Sequence, residues 1–237
     1  MKAIFDIISS IDHQPNVNPT EIYNEGWMTR ILVYYSIQEK LKLAEVDFAR
    51  INYWTSEALI SSPFINASNF REGYTHADMA LGDFNVDYQD SGKIIVDESA
   101  TSFGIIEAKM ASNLSQGTTH AENYNQGSRN LACIAFNTRN TDCDIFFSVV
   151  APQAKIIHLN LEAQVQINFM IEQIVSRFEM YEPGEPLREY FDDTIAKAQS
   201  CSTWVMSYED WIDSFSNADV KGILNDFYQK CLFWNNI

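Results

Sequence analysis

Phe103-Gly104-Ile105-Ile106-Glu107-Ala108-Lys109-Met110 is an apolar run that ends in an acid, a small residue and a lysine. If the run is a strand, its side chains alternate between two faces, so Glu107 and Lys109 project from the same side. A strand that only fills a core has no reason to end in that charged pair. Upstream, in Thr75-His76-Ala77-Asp78-Met79-Ala80-Leu81, a second acid interrupts another apolar run. Two carboxylates and a lysine meeting at strand ends suit metal-dependent cleavage of a phosphodiester. Carboxylate oxygens hold Mg²⁺, which prefers oxygen ligands in octahedral geometry. The ion polarises the phosphate and acidifies a water. A nearby cation steadies the charge that develops in the transition state. Asp78 and Glu107 are the expected ligands, with the carbonyl of Ala108 as a third, and Mn²⁺ could replace Mg²⁺. Lys109 is expected to orient or activate the water. Burial would lower its pKa, and the neighbouring carboxylates would raise it again.

Asp83 competes with Asp78 for the upstream position. On one strand Asp78 shares a face with His76, Ala80 and Gly82, which is small and polar enough to admit a metal. Asp83 shares a face with Met79 and Leu81, which reads as core, or sits at a bend after Gly82. Asp78 is therefore preferred. His76 is read as structural.

The elements that must position these groups are legible in outline. A helix is expected from about Asn18 to Gln38, with Asn18 as cap, Pro19 in the first turn and Glu21 as capping-box acid. On it, Glu25 shares a stripe with Met28 and Leu32. Residues 40–59 read as a second, less regular helix. Strands are expected at His76–Phe84, Lys93–Val96 and Phe103–Met110, with a turn at Asp87–Gly92. A long helix is expected from Thr119, with Glu122 closing its capping box, to about Asn137. It carries Glu122, Gln126, Arg129 and Cys133 on one face. Gln126 and Arg129 could thus reach one space, with Arg129 as a bidentate phosphate clamp. Strands are expected at Asp144–Val150 and Ile156–Leu161. Helices are expected at Glu162–Tyr181 and beyond Pro183-Gly184-Glu185-Pro186, where Trp204, Trp211 and Phe215 would pack as a lid or flank. This order fits one α/β domain whose mixed sheet is covered on both faces. Its core would span about residues 18–161, with a helical C-terminal addition over about 162–237.

The 237 residues carry 16 basic and 32 acidic side chains, a net charge of -16. A surface this acidic does not draw phosphates from a distance. Any nucleic-acid chemistry must rest on local geometry, a metal ion or a partner subunit. No apolar run approaches the roughly 18 residues of a membrane span, so no membrane role is expected. The apolar start, Met1–Ile8, is read as a short helix and not a signal peptide. Cys133, Cys143, Cys201 and Cys231 form no CxxC pair, which supports neither a zinc site nor a redox motif. Cys133 reads as buried and reduced, and the cytoplasm is the expected compartment.

Asp78, then Glu107-Ala108-Lys109, then a helix bearing Gln126 and Arg129, preceded by a helical Glu25, resembles the PD-(D/E)xK nuclease superfamily. That resemblance covers roughly Asn18 to Leu161. It implies a restriction-endonuclease-like fold with an αβββαβ core. It also implies a Mg²⁺-dependent nuclease acting on DNA, alone, as a homo-oligomer or with a protein partner. Asp78 and Glu107 would hold the metal with help from Glu25, Lys109 would serve the water, and Gln126 and Arg129 would support the site. The proline of the family motif is replaced by Ala77. Arg129 follows Gln126 at a spacing that differs from the Gln–Tyr pair of exonuclease branches, so no exonuclease is assigned. The competing expectation is a catalytically silent member of the fold that binds or scaffolds, which the acidity favours. A weaker one is a metal-dependent enzyme acting on a nucleotide or tRNA-like substrate.

Overall fold

A computed structural model describes residues 17–237. The helix expected at Met1–Ile8 lies outside the described residues. The Phe103–Ala108 run sits inside a seven-stranded mixed sheet. Its strands are β1 (Tyr53–Ser61), β2 (Tyr74–Gly82), β3 (Phe84–Asp87), β4 (Lys93–Val96), β5 (Ser102–Ala108), β6 (Asp144–Ala151) and β7 (Ser202–Ser207). In space they run β3–β4–β1–β2–β5–β6–β7. β2 is antiparallel to both β1 and β5, and β3 to β4. β5, β6 and β7 are parallel to one another, as are β1 and β4. β5 is flanked by a strand on each side and covered on both faces, which is why it is apolar at almost every position.

The helices are α1 (Glu25–Gln38), α2 (Gln126–Thr138), α3 (Gln153–Leu159), α4 (Leu161–Gln164), α5 (Ile167–Phe178), α6 (Phe191–Gln199), α7 (Tyr208–Asp213) and α8 (Ala218–Asn235). Strand alternation divides them between two cores. Phe103, Ile105, Phe147 and Val149 face Leu131 and Ile134 of α2 and Met170 and Ile174 of α5. Ile106, Ala108, Phe146 and Val150 face Met28 and Leu32 of α1, Trp211 of α7 and Leu224 of α8. Helices thus flank a mixed sheet on both sides. Among the described residues, no helix is long and apolar enough to cross a membrane.

Several elements differ from expectation. Asn18 caps only a 3₁₀ turn at Pro19–Glu21, and α1 begins later, where the Asn24 side chain accepts the Trp27 N–H at 3.0 Å. Residues 40–59 are not helical. They form a two-stranded hairpin (Lys42–Leu43 with Val46–Asp47), a 3₁₀ turn and most of β1. The aromatic and β-branched run Tyr53-Trp54-Thr55 suits a pleated surface. α2 starts at Gln126, capped by Asn125, and Glu122 lies on the loop before it. That loop turns tightly at Gly117, where a Cβ would fall 2.2 Å from the Glu122 carbonyl oxygen. Ile156–Leu161 is not a strand. Pro152 starts α3, and Asn160, left-handed at φ 48, ends it. The helix expected at Glu162–Tyr181 is split into α4 and α5. The C-terminal region is not purely helical either, since its short Ser202–Ser207 segment pairs along β6 and extends the sheet. Trp204 lies on that strand against Phe146, while Trp211 and Phe215 are buried in the α1-side core.

Candidate active site

The site forms where β2 and β5 stop pairing. Their ladder runs from Gly82–Phe103 to Met79–Ile106. Asp78 and Glu107 come next, but there the Asp78 carboxylate intervenes, and its Oδ2 accepts the Ala108 N–H at 2.7 Å. The β1–β2 ladder is also interrupted at this level. Ser56 pairs with Met79 and Ala58 with Ala77, leaving Glu57 opposite Asp78 with φ 55. A left-handed backbone at a glutamate costs of order 1 kcal/mol or more, and such strain gathers at functional sites.

Alternation along β5 aims Glu107 at α2, where it is fully buried. Both of its oxygens are held. Oε2 accepts from Asn130 Nδ2 at 2.8 Å, and Oε1 accepts from Gln126 Nε2 and, at 2.5 Å, from Lys109 Nζ. Gln126 and Asn130 lie one helical turn apart and grip the carboxylate together. Lys109 is nearly buried on the same face. Its ammonium also donates to the Ala108 carbonyl at 3.0 Å and lies 3.6 Å from Asp78 Oδ2.

Burial and the nearby Asp78 charge push the Glu107 pKa up to about 8, and Lys109 offsets only part of this. Burial alone would lower the Lys109 pKa, but the Glu107 and Asp78 carboxylates, with Glu25, outweigh it and raise it. Lys109 is therefore a cation at neutral pH.

Glu25 opens α1 and acts on the chain that leaves β5. Its Oε2 accepts the Met110 and Ala111 N–H groups at 2.6 and 3.3 Å, and its Oε1 accepts the Ser112 hydroxyl at 3.0 Å. Lys155 of α3 grips the same loop from its carbonyl side, donating to Met110 at 3.0 Å and Ser112 at 2.5 Å. Burial lowers the Lys155 pKa, Glu25 opposes the shift and the Lys109 charge reinforces it. Carboxylate and ammonium thus fix the segment that carries Lys109.

Asp78, Glu107, Lys109 and Gln126 come together, and Glu25 adjoins them through the loop. Arg129 turns aside, donating to Ser115 Oγ at 2.9 Å, with no hydrogen bond or ion pair to Asp78, Glu107 or Lys109. Asp83 serves a different purpose. Burial tends to raise its pKa, but hydrogen bonds from Thr101, Asn52 and Ser102 prevail and lower it. Sequence reasoning missed Asn130 and Lys155. Asn130 was detectable, one turn beyond Gln126. Lys155 was not, because its partners are backbone carbonyls distant in the chain.

No protein-family model, curated protein or solved structure matches this chain.

Among the described residues, no three histidine, cysteine, aspartate or glutamate side chains gather around one metal position. What converges is two carboxylates and one carbonyl, all directed at the Lys109 ammonium. Hard oxygen donors already arranged around a positive charge fit Mg²⁺, which binds through one or two carboxylates and keeps waters or phosphate oxygens in its other positions.

Proposed function

We propose that the chain is a divalent-cation-dependent nuclease of restriction-endonuclease-like fold, hydrolysing phosphodiester bonds in DNA. The observation that carries this reading is the convergence of Glu107 Oε1, the Ala108 carbonyl and Asp78 Oδ2 on one buried cation. Those three oxygens would hold Mg²⁺ or Mn²⁺. When bound, the ion would polarise the phosphate and acidify a water.

The chain's own residues have separate tasks. Asn130 and Gln126 fix the Glu107 carboxylate so that its orientation costs nothing at the moment of reaction. Asp78 is tied to the Ala108 N–H, so its carboxylate takes the place of a ladder bond between β2 and β5 at this level. Lys109, held as an ammonium, donates to the oxygens on which negative charge grows and orients the attacking water. It reaches that role by leaving Glu107. Glu25 and Lys155 hold the Met110–Ser112 loop so that Lys109 moves only as a side chain. The reading is tested by metal-dependent cleavage of plasmid and single-stranded DNA, and loss of that cleavage in Glu107→Ala and Lys109→Ala supports it.

The net charge of -16 favours a second reading. In it the Glu107–Lys109 pair is a neutralised structural ion pair, and the chain is a silent member of the fold that binds or scaffolds in a complex. Calorimetry separates the two, because the silent protein takes up no Mg²⁺ at Asp78 and Glu107.

A further inference from the structure

Two paired strands exchange their faces at the level of the site. Side chains two apart on a regular strand share a face. On β2, Thr75 Oγ1 accepts from the Cys133 thiol of α2 at 3.4 Å, and Ala77 lies in the α2-side core. Met79 and Leu81, of the same parity, lie in the α1-side core. On β1, Ala58 and Ile60 belong to the α2-side core, yet Ser56 Oγ accepts from Arg30 Nε of α1 at 2.8 Å. Ser56 pairs with Met79 and Ala58 with Ala77, so both strands turn over at the same rung. Glu57 and Asp78 are the residues at the crossing.

The crossing decides where the Asp78 carboxylate goes. Counted from Ala77, a regular strand would aim it into the α1-side core. Counted from Met79, it would aim it at α2. At a point of reversal it does neither and lies between the strands, where Oδ2 accepts the Ala108 N–H at 2.7 Å and stands 3.6 Å from Lys109 Nζ. On β1 the turn is made by the Glu57 backbone, left-handed at φ 55. Glycine would take that conformation freely, whereas glutamate holds it only where its surroundings enforce it. Arg30 supplies the enforcement, since it bonds Ser56 and places Nη2 3.6 Å from the Glu57 carboxylate. That side chain is 60% exposed, so what the site takes from Glu57 is its backbone.

We infer that Glu57 is a positioning residue for the candidate metal site. Its left-handed backbone, clamped by Arg30, turns β1 and β2 over together and thereby sets the Asp78 carboxylate before Ala108 and Lys109. This rests on the nuclease reading for what Asp78 binds, and on the strand register alone for how Asp78 is aimed.

The test compares residues at position 57 that differ in tolerance of positive φ, which glycine adopts freely and β-branched residues hardly at all. Two properties of the full chain are read. One is the Ala108 amide resonance in EDTA, which a carboxylate acceptor shifts downfield. The other is Mg²⁺ affinity by calorimetry, on the alkaline plateau of each variant. Glu57→Gly and Glu57→Gln should stay close to wild type in both. Glu57→Val should move the resonance as Asp78→Asn does and weaken Mg²⁺ binding about 10- to 100-fold, the usual cost of disturbing a group that orients a ligand. Arg30→Ala covers the case of a valine variant that does not fold. It should weaken Mg²⁺ binding in the same direction, and adding Glu57→Gly to that chain should restore it, because glycine needs no clamp. A folded valine variant with wild-type resonance and affinity, loss in the glycine or glutamine variant, or an Arg30→Ala chain that binds like wild type or is not restored by glycine would overturn the inference. The resonance is read without metal, so the two proposals fail separately. A resonance that follows the series in a protein that takes up no Mg²⁺ removes the nuclease reading alone. Mg²⁺ uptake and cleavage shared by every variant remove the role of Glu57 alone.

Discussion

Lys109 Nζ lies 2.5 Å from Glu107 Oε1, on the carboxylate the nuclease reading assigns to the metal. The ammonium also meets the Ala108 carbonyl and approaches Asp78, so it stands among the same three oxygens. In the metal-free protein, Lys109 is the resident cation. On the nuclease reading, a metal ion would have to displace it, which would free Lys109 for the water and the phosphate.

Lys109→Met should therefore separate binding from chemistry. Each charge-assisted hydrogen bond is worth about 1.5–3 kcal/mol, so removing the competitor should tighten Mg²⁺ binding about tenfold or more. Cleavage should be lost. Titration calorimetry over a series of pH values reads the affinity on the alkaline plateau of each protein, because losing the Lys109 charge also moves the Glu107 pKa further up. Binding weaker than wild type in a variant with native melting behaviour would contradict the competition.

On the same reading, Glu107 would also make metal binding depend on pH. Its pKa is raised to about 8, so below that value a cation must expel a proton from the metal-free site. The sign follows directly: affinity rises with pH up to about 8 and levels off above it. Calorimetry in buffers of different ionisation enthalpy should show proton release at pH 7 and little at pH 9. Affinity unchanged between those values would contradict the assignment of Glu107 as a ligand.

Asn130 holds the second oxygen of Glu107 at 2.8 Å. Asn130→Ala should lower Mg²⁺ affinity and turnover by about 10- to 100-fold, the usual cost of losing a hydrogen bond that orients a ligand. Asn130→Asp should move the pH midpoint of metal binding upward, because a second negative charge makes Glu107 harder to ionise. A midpoint that stays in place would show that Asn130 only fills space.

Asp83 supplies the contrast with Asp78. Its folded pKa is lowered, so its contribution to stability is present above the unfolded value of about 3.9 and is lost as pH falls through the folded value. Wild type should exceed Asp83→Asn in denaturant midpoint at neutral pH, and the gap should close in acid. Mg²⁺ binding should be unchanged in that variant and abolished in Asp78→Asn. Loss of metal in Asp83→Asn would reverse the choice between the two acids.

What the sequence disclosed follows from how local each signal is. Asp78 and Glu107-Ala108-Lys109 were readable because two-residue alternation settles which side chains share a face, and the structure gathers them. Gln126 was readable, although α2 begins at Gln126 itself and not at Thr119, because its helical face is set by the residues around it. The break in the β2–β5 ladder was not readable, for it depends on pairing between segments distant in the chain. The same holds for Ser202–Ser207, too short to reveal itself as a strand before β6 offers it an edge. Residues 40–59 misled because a hairpin, a 3₁₀ turn and a strand in succession give irregular apolar spacing that resembles a poor helix. Arg129 shows the limit of face-sharing: a helical stripe places it near Gln126, and its long side chain then chooses Ser115.

The most direct measurement is cleavage of supercoiled plasmid and single-stranded DNA by wild type, Glu107→Ala and Lys109→Ala, with Mg²⁺ or Mn²⁺ and with EDTA. The account predicts metal-dependent cutting by wild type and none above background in either variant. Wild type that cuts neither substrate with either metal, or cutting that survives in both variants, would contradict it.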